Sequence, residues 1–358
     1  VNTSAPAPPR GSGAVETAAP GGEPHLRSRL AGLLLLLLAL ALCAALSVAV
    51  GSRGIAPAEI WRVLLAPDGG EASTIVHEMR MPRTLLGLVV GVALGVSGVL
   101  MQSHTRNPIA DPSLLGVAYG AACAVVLSVF LFGLASLSAY IWFAIGGALA
   151  ASVAVFAIAS GGSRGPTPVT LLLAGAAMTA LLSGITAGVV LLDERSLEVY
   201  RFWRVGSLSG RPEGVTTQIL PFAAVGLALA AAGTRGMNAL ALGDDVATAL
   251  GHRVRLIRAS GVAAIALMTG AAVAAAGPIG FVGLVAPHAA RAARAATGPD
   301  HRWLLPYAAL CGAALVLAAD VAGRVVRGSG EVEVGIVLAV FGGPFFITLI
   351  RRRRLVEL

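Results

Sequence analysis

Asp320 and Arg324 stand four residues apart inside a long apolar stretch. At that spacing an α-helix sets two side chains on one face, so a carboxylate can meet a guanidinium. An interfacial ion pair is the simplest reading. His288 is the other ionisable group of note within such a stretch, and a group of this kind in an apolar span is a functional candidate by default. It could relay a proton, but Pro287 beside it and Arg291 close by favour a structural or hinge role. Chemistry by grouping ends there. Within the apolar stretches there is no HExxH or GxSxG run and no pair of carboxylates. Every one of the 26 basic residues is Arg. Without lysine there is neither a Walker-type phosphate loop nor a Schiff base. Cys43, Cys123 and Cys311 all sit in apolar stretches at no metal-ligand spacing, and read as small buried hydrophobes. The expectation is therefore no catalytic residue, no metal site and no cofactor held by this chain.

The elements that must carry these residues are apolar and long. Ten stretches of about 18–25 residues lie near 30–50, 84–104, 113–133, 139–159, 168–192, 216–234, 257–276, 279–296, 303–323 and 333–350. Twenty residues of helix rise about 30 Å, the thickness of a bilayer's hydrocarbon core. Charged residues make up 12% of the chain and mean hydropathy is +0.83; a soluble domain carries about 25% charged residues. The sequence thus predicts an all-α integral membrane bundle of about ten transmembrane helices. The 45 glycines fit close helix approach. Residues 1–28, rich in Pro, Gly, Ala and Ser, read as a disordered cytoplasmic tail, and 29–358 as one ten-span domain. The net charge of +8 does not suggest nucleic acid, because the arginines are spread over loops on both sides.

Arginine also orients the chain. With the N-terminus inside, ten spans return the C-terminus to the same side. Sixteen of the 26 arginines, with the run Arg351 to Arg354 among them, then fall on the cytoplasmic face.

Two apolar stretches are broken by proline. Asn107-Pro108-Ile109 and Asp111-Pro112 follow the second span, and Gly277-Pro278-Ile279 separates the seventh from the eighth. Proline ends a helix, and non-helical backbone at membrane depth is tolerated where it lines a cavity or is buried in protein. The ten-span topology sets the first break at the cytoplasmic face and the second outside, as an inverted repeat would. Residues 236–256 form the longest cytoplasmic connection. They suit two short helices joined near Gly243, the second capped by Asp244 and Asp245 and ended by Gly251. This is the natural docking place for a cytoplasmic partner. Outside, Arg80 and Arg83 flank Met81-Pro82 at headgroup level, and residues 55–66 read as an interfacial helix with Pro57 in its first turn.

Seven blocks in order then resemble the FecCD family of permease subunits of ABC importers: RMPRTLLGLVVGVALGVSGVLMQ (80–102), RNPIADPSLLGVAYGAA (106–122), LLLAGAA (171–177), FWRVGSLSGR (202–211), LGDDVATALG (242–251), GPIGFVGLVAPHAAR (277–291) and EVEVGIVLAVFGGPFF (331–346). The resemblance runs from about residue 30 to the C-terminus. It implies a cobalamin-importer-type permease fold of ten spans in a bacterial cell membrane. It also implies a second permease (a copy or a paralogue), two cytoplasmic ATPases that bind ATP and Mg, and an extracytoplasmic binding protein. By position it implies a cytoplasmic gate at Asn107 and Ile109, and another gate loop at Pro168 and Val169, where the cobalamin relative carries small hydroxyl residues. Leu242, Gly243, Asp244, Asp245, Val246, Ala249, Leu250 and Gly251 match the coupling helices that sit on the ATPase. Arg80, Arg83 and Arg324 fall where family members offer arginines to acidic residues of the binding protein. Pro108, Pro112, Gly277, Pro278, Pro287 and His288 are expected as hinges. FWRVGSLSGR is more similar to the siderophore members than to the cobalamin ones, so ferric siderophore is the expected cargo, with haem or cobalamin as the alternative. A gradient-driven transporter would need embedded carboxylates, and Asp320 is nearly alone. An intramembrane enzyme would need a visible dyad or metal cluster.

Overall fold

The computed structural model describes residues 26–51, 53–134, 136–161, 166–212, 214–293, 298–326 and 330–351. The expectations for residues 1–25 and for Arg352 to Arg354 lie outside them. Among the described residues all regular structure is helical. The helices are α1 (Leu26–Ala49), α2 (Pro57–Leu65), α3 (Glu71–Thr105), α4 (Val117–Phe132), α5 (Leu137–Ser160), α6 (Pro168–Leu192), α7 (Glu194–Arg204), α8 (Val215–Ala241), α9 (Asp244–Ala249), α10 (Val254–Ala276), α11 (Val282–Ala292), α12 (His301–Val326) and α13 (Val334–Arg351). Seven of them, α1, α3, α5, α6, α8, α10 and α12, are long and apolar enough to cross a membrane. α4 and the apolar part of α13 are shorter. The stretch at 279–296, expected as a span, holds α11, whose 11 residues rise only about 16 Å. The predicted interfacial helix is α2, with Pro57 in its first turn and Ile60 and Val63 packed on Val76.

α3 and α10 form the buried spine, while α1 and α6 are mostly uncovered. Close approach to α3 depends on missing side chains. A Cβ on Gly95 would stand 2.3 Å from the Ala308 carbonyl oxygen of α12. One on Gly98 would stand 2.1 Å from that of Gly283. These are backbone contacts that no rotamer change relieves, so α12 and the start of α11 pack on a glycine face of α3. Met81-Pro82 is accommodated without breaking α3 because the preceding turn, Ile75–Arg80, is wound as a π-helix.

Candidate transport pathway and docking faces

α3 stops at Thr105. Arg106 adopts the left-handed conformation (φ 47°), and Asn107 Oδ1 accepts from the Ile109 backbone N–H at 3.1 Å. Asp111 then accepts from the Ser113 N–H at 2.9 Å, opening a 3₁₀ turn over Pro112–Leu115. Both prolines, Pro108 and Pro112, thus sit in a tight non-helical segment, as their missing N–H groups require. Ile109 is exposed. At the other expected gate position, Thr167 and Thr170 form a reciprocal capping box with Pro168 in the first turn of α6, leaving Val169 exposed.

The second break stands toward the other end of the bundle. Gly277 (φ 75°) ends α10 where a Cβ would stand 2.1 Å from the Trp203 carbonyl oxygen. Next to it the Ser207 N–H donates to the Ala276 carbonyl at 2.7 Å, and Leu208 packs over Gly87, near the Arg83 end of α3. The first break follows the opposite end of α3, after Thr105. From each break the chain turns back into the bundle, and there Gly283 packs directly against Pro112, so that packing covers the free backbone. Pro287 is buried in α11, and His288 is half-buried beside it, away from the cavity described next.

That cavity has a volume of about 570 Å3 and is bounded by both breaks: Asp111, Pro112 and Ser113 on one side, Pro278, Ile279 and Gly280 on the other. α4 supplies Tyr119, and α13 supplies Ile336 and Val340, which are 45% and 60% exposed. The remaining wall is α7, a helix absent from the ten predicted stretches. It contributes Tyr200, Trp203 and Arg204, with the Arg204 guanidinium 5.8 Å from the Tyr200 ring centre. Its signal is present in the sequence: Asp193 caps the Ser196 N–H at 2.7 Å, with Glu194 in the first turn and Arg201 and Arg204 in the last. Thr269 Oγ1 and Trp203 Nε1 are buried without a hydrogen-bond partner among the described residues, and both residues line the cavity.

In the coupling segment, residues 236–241 continue α8, and only α9 is a separate short helix. Gly243 (φ 118°) makes the joint and Gly251 (φ 82°) follows the end. Asp244 and Asp245 lie in the first turn and do not cap it through their side chains. Asp244 reaches Arg106 and Arg258 instead. Leu242, Val246 and Leu250, spaced four apart, are all exposed, and Ala249 lies in the helix's last turn.

The arginines expected to face a binding protein turn inward. Arg80 and Arg324 are each 5% exposed. Arg80 donates to the Val48, Ala49 and Arg53 carbonyls at 2.6–2.9 Å. Arg324 donates to the Ser47 and Val50 carbonyls and to Asp320. Arg83 joins Asp320 at 2.8 Å and Glu331 at 2.6 Å. The reading of these three as outward-facing docking groups is corrected: buried guanidiniums take acceptors from their own chain to offset lost hydration. Asp320 pairs with Arg324, as the spacing predicted, but is only 1% exposed and shared with Arg83, so the pair is buried and not interfacial. Outside the spans, burial tends to raise the Glu331 carboxyl, yet its hydrogen bond to Arg83 wins and holds the pKa below the ordinary glutamate value.

A polytopic helical bundle with broken helices around a cavity has the architecture of a membrane transport subunit. The chain belongs to the FecCD transport family, which it matches over residues 36–352. It is 42% identical over 322 residues to the ferric enterobactin transport system permease protein FepD of Escherichia coli, covering 90% of this chain and 94% of that one. It is 36% identical to the probable siderophore transport system permease protein YfiZ of Bacillus subtilis (89% and 94% covered), and 40% identical to the cobalamin import system permease protein BtuC of Halobacterium salinarum (79% and 74% covered). A solved structure described as inward-facing and of metal-chelate ABC transporter type superposes with a TM-score of 0.77 at 26% identity, covering 90% of this chain and 99% of the other. The chain is thus a permease of the ABC-importer family whose members serve siderophores, haem, cobalamin and ferric citrate.

Proposed function

We propose that this permease imports a ferric siderophore, pairing with a second permease (a copy or a paralogue) and drawing energy from two cytoplasmic ATPases that bind ATP and Mg. A binding protein delivers the cargo from outside. Both termini lie in the cytoplasm, and ten helices span the membrane. The observation that carries the reading is the cavity between the two helix breaks. Ile336 and Val340 line it and are among the exposed large apolar residues, which supports a reading in which a partner permease completes its wall. Aromatic residues and one arginine suit an aromatic, anionic chelate. Asn107, Ile109, Pro168 and Val169 act at the cytoplasmic gate, and the exposed stripe Leu242, Val246 and Leu250 seats on the ATPase. The buried arginines support the outer loops on which the binding protein rests.

The test is ATP-dependent uptake into proteoliposomes holding the whole complex, with ferric catecholate, ferric hydroxamate, ferric citrate, haemin and cobalamin offered in turn. Uptake of a ferric siderophore is expected. Uptake of haemin or cobalamin alone would transfer the assignment to those cargoes.

A further inference from the structure

Asp244 opens α9 with its side chain 46% exposed, and its carboxylate accepts from Arg106 Nη2 at 2.5 Å and from Arg258 Nη2 at 2.9 and 3.2 Å. Arg106 is the residue between the end of α3 and Asn107, and it also donates to the Leu240 carbonyl at 3.1 Å. It therefore holds both sides of the Gly243 joint. Arg258 lies in the second turn of α10, the helix that ends at the Gly277 break, and is 1% exposed. One carboxylate thus fastens α9 to the segment carrying Asn107 and Ile109 and to the foot of a spine helix.

We propose that Asp244 is a positioning residue that carries movement of the ATPase-seated helix to the gate turn, and is not itself a docking contact. The proposal rests on the importer reading above. Arg106 is held in the left-handed conformation, sparsely populated for a residue with a side chain, one position before the proline-broken turn. A small displacement of α9 acts directly on that torsion. Arg258 Nε and Nη1 are buried with no acceptor among the described residues. Among the described residues the anion that meets Arg258 is Asp244, so a shift of α9 changes the pairing of a buried charge. A plain structural staple would hold α9 to α8 without reaching residue 106.

The cargo-independent reporter is the substitution Ile109→Cys, its thiol reacted with a small aqueous thiosulfonate in the complete complex, with and without ATP and vanadate. Asp244→Asn strands Arg258 and can impair folding, so the principal variant is Arg106→Gln, which leaves the Asp244–Arg258 pair intact. Arg106→Gln is expected to co-purify with the ATPase and to hydrolyse ATP at the native rate. The nucleotide-dependent change in reactivity of the reporter thiol should fall about five- to tenfold, the lower range of measured site-to-site couplings. Arg106→Lys should restore most of it. Adding Asp244→Asn to Arg106→Gln should cost no further response, because one link cannot be broken twice. A native response in Arg106→Gln, additive losses in the double variant, or loss of the ATPase from the complex would each overturn the link while leaving the importer reading in place. If the reporter thiol ignores nucleotide in the otherwise native chain, the gate assignment itself fails, and the link falls with it.

Discussion

Replacing Asp320 by Asn keeps the shape of the side chain and removes its charge. The carboxylate serves Arg83 Nε and Nη2 at 2.8–3.1 Å and Arg324 Nη2, and both carboxylate and Arg324 are almost fully enclosed. Arg83 keeps Glu331 as its anion, so Arg324 alone loses its bonded anion and keeps neutral acceptors, the Ser47 and Val50 oxygens and the introduced amide oxygen. Removing one partner of a buried pair costs about 3–5 kcal/mol because the other charge stays buried. With an unfolding entropy of about 2.1 cal/mol/K per residue, a folded body of roughly 330 residues has about 0.7 kcal/mol/K, so the midpoint should fall by about 4–7 °C. The assay is thermal unfolding of the detergent-solubilised permease, followed by retention of its tryptophan fluorescence on size exclusion. The variant with Arg80, Arg83 and Arg324 all changed to Ala should also melt early. If Asp320→Asn melts with the native protein, and the triple variant keeps its melting point while losing the binding protein in a salt-dependent way, the arginines are a docking patch and the burial argument is wrong.

The purified chain alone should hydrolyse no ATP, since it contains no lysine for a phosphate loop; turnover above a permease-free control would refute this. Cysteines at Val246 and Leu250 should cross-link to the ATPase surface in the assembled complex, and cross-links at 160–167 instead would move the docking site. Opposed cysteines at Ile109 in a permease pair should cross-link and stop uptake; transport undisturbed by the cross-link would reduce residues 107–111 to a connecting loop. The depressed pKa of Glu331 gives stability that is fully present above the ordinary value of 4.5 and is lost as pH falls from there through the depressed value. Native protein and Glu331→Gln should therefore differ in melting point at pH 6 and converge in acid, and a constant gap down to pH 3 would disprove the contribution.

Where the apolar stretches lie, that the chain is helical and membrane-embedded, and that it lacks a phosphate loop were all decided by the sequence. Period, length and residue type are local properties, and a run of twenty apolar residues has few other folded solutions. The glycine–proline breaks and the i,i+4 spacing of Asp320 and Arg324 were legible for the same reason. That the segments after the two breaks meet was not, because it follows from Gly283 packing on Gly98 and Pro112, contacts across 185 and 171 positions of chain. The wall formed by α7 was hidden too: its capping signal marks a helix but not that Trp203 points inward. Charge was the most misleading property. A sequence shows Arg80, Arg258 and Arg324 as polar groups near loops, where exposure is the default. Only the tertiary structure sets the carbonyls of α1 against Arg80 and Arg324, and sets Arg258 against Asp244, because the acceptors and donors that a buried charge requires come from elements far away in the chain.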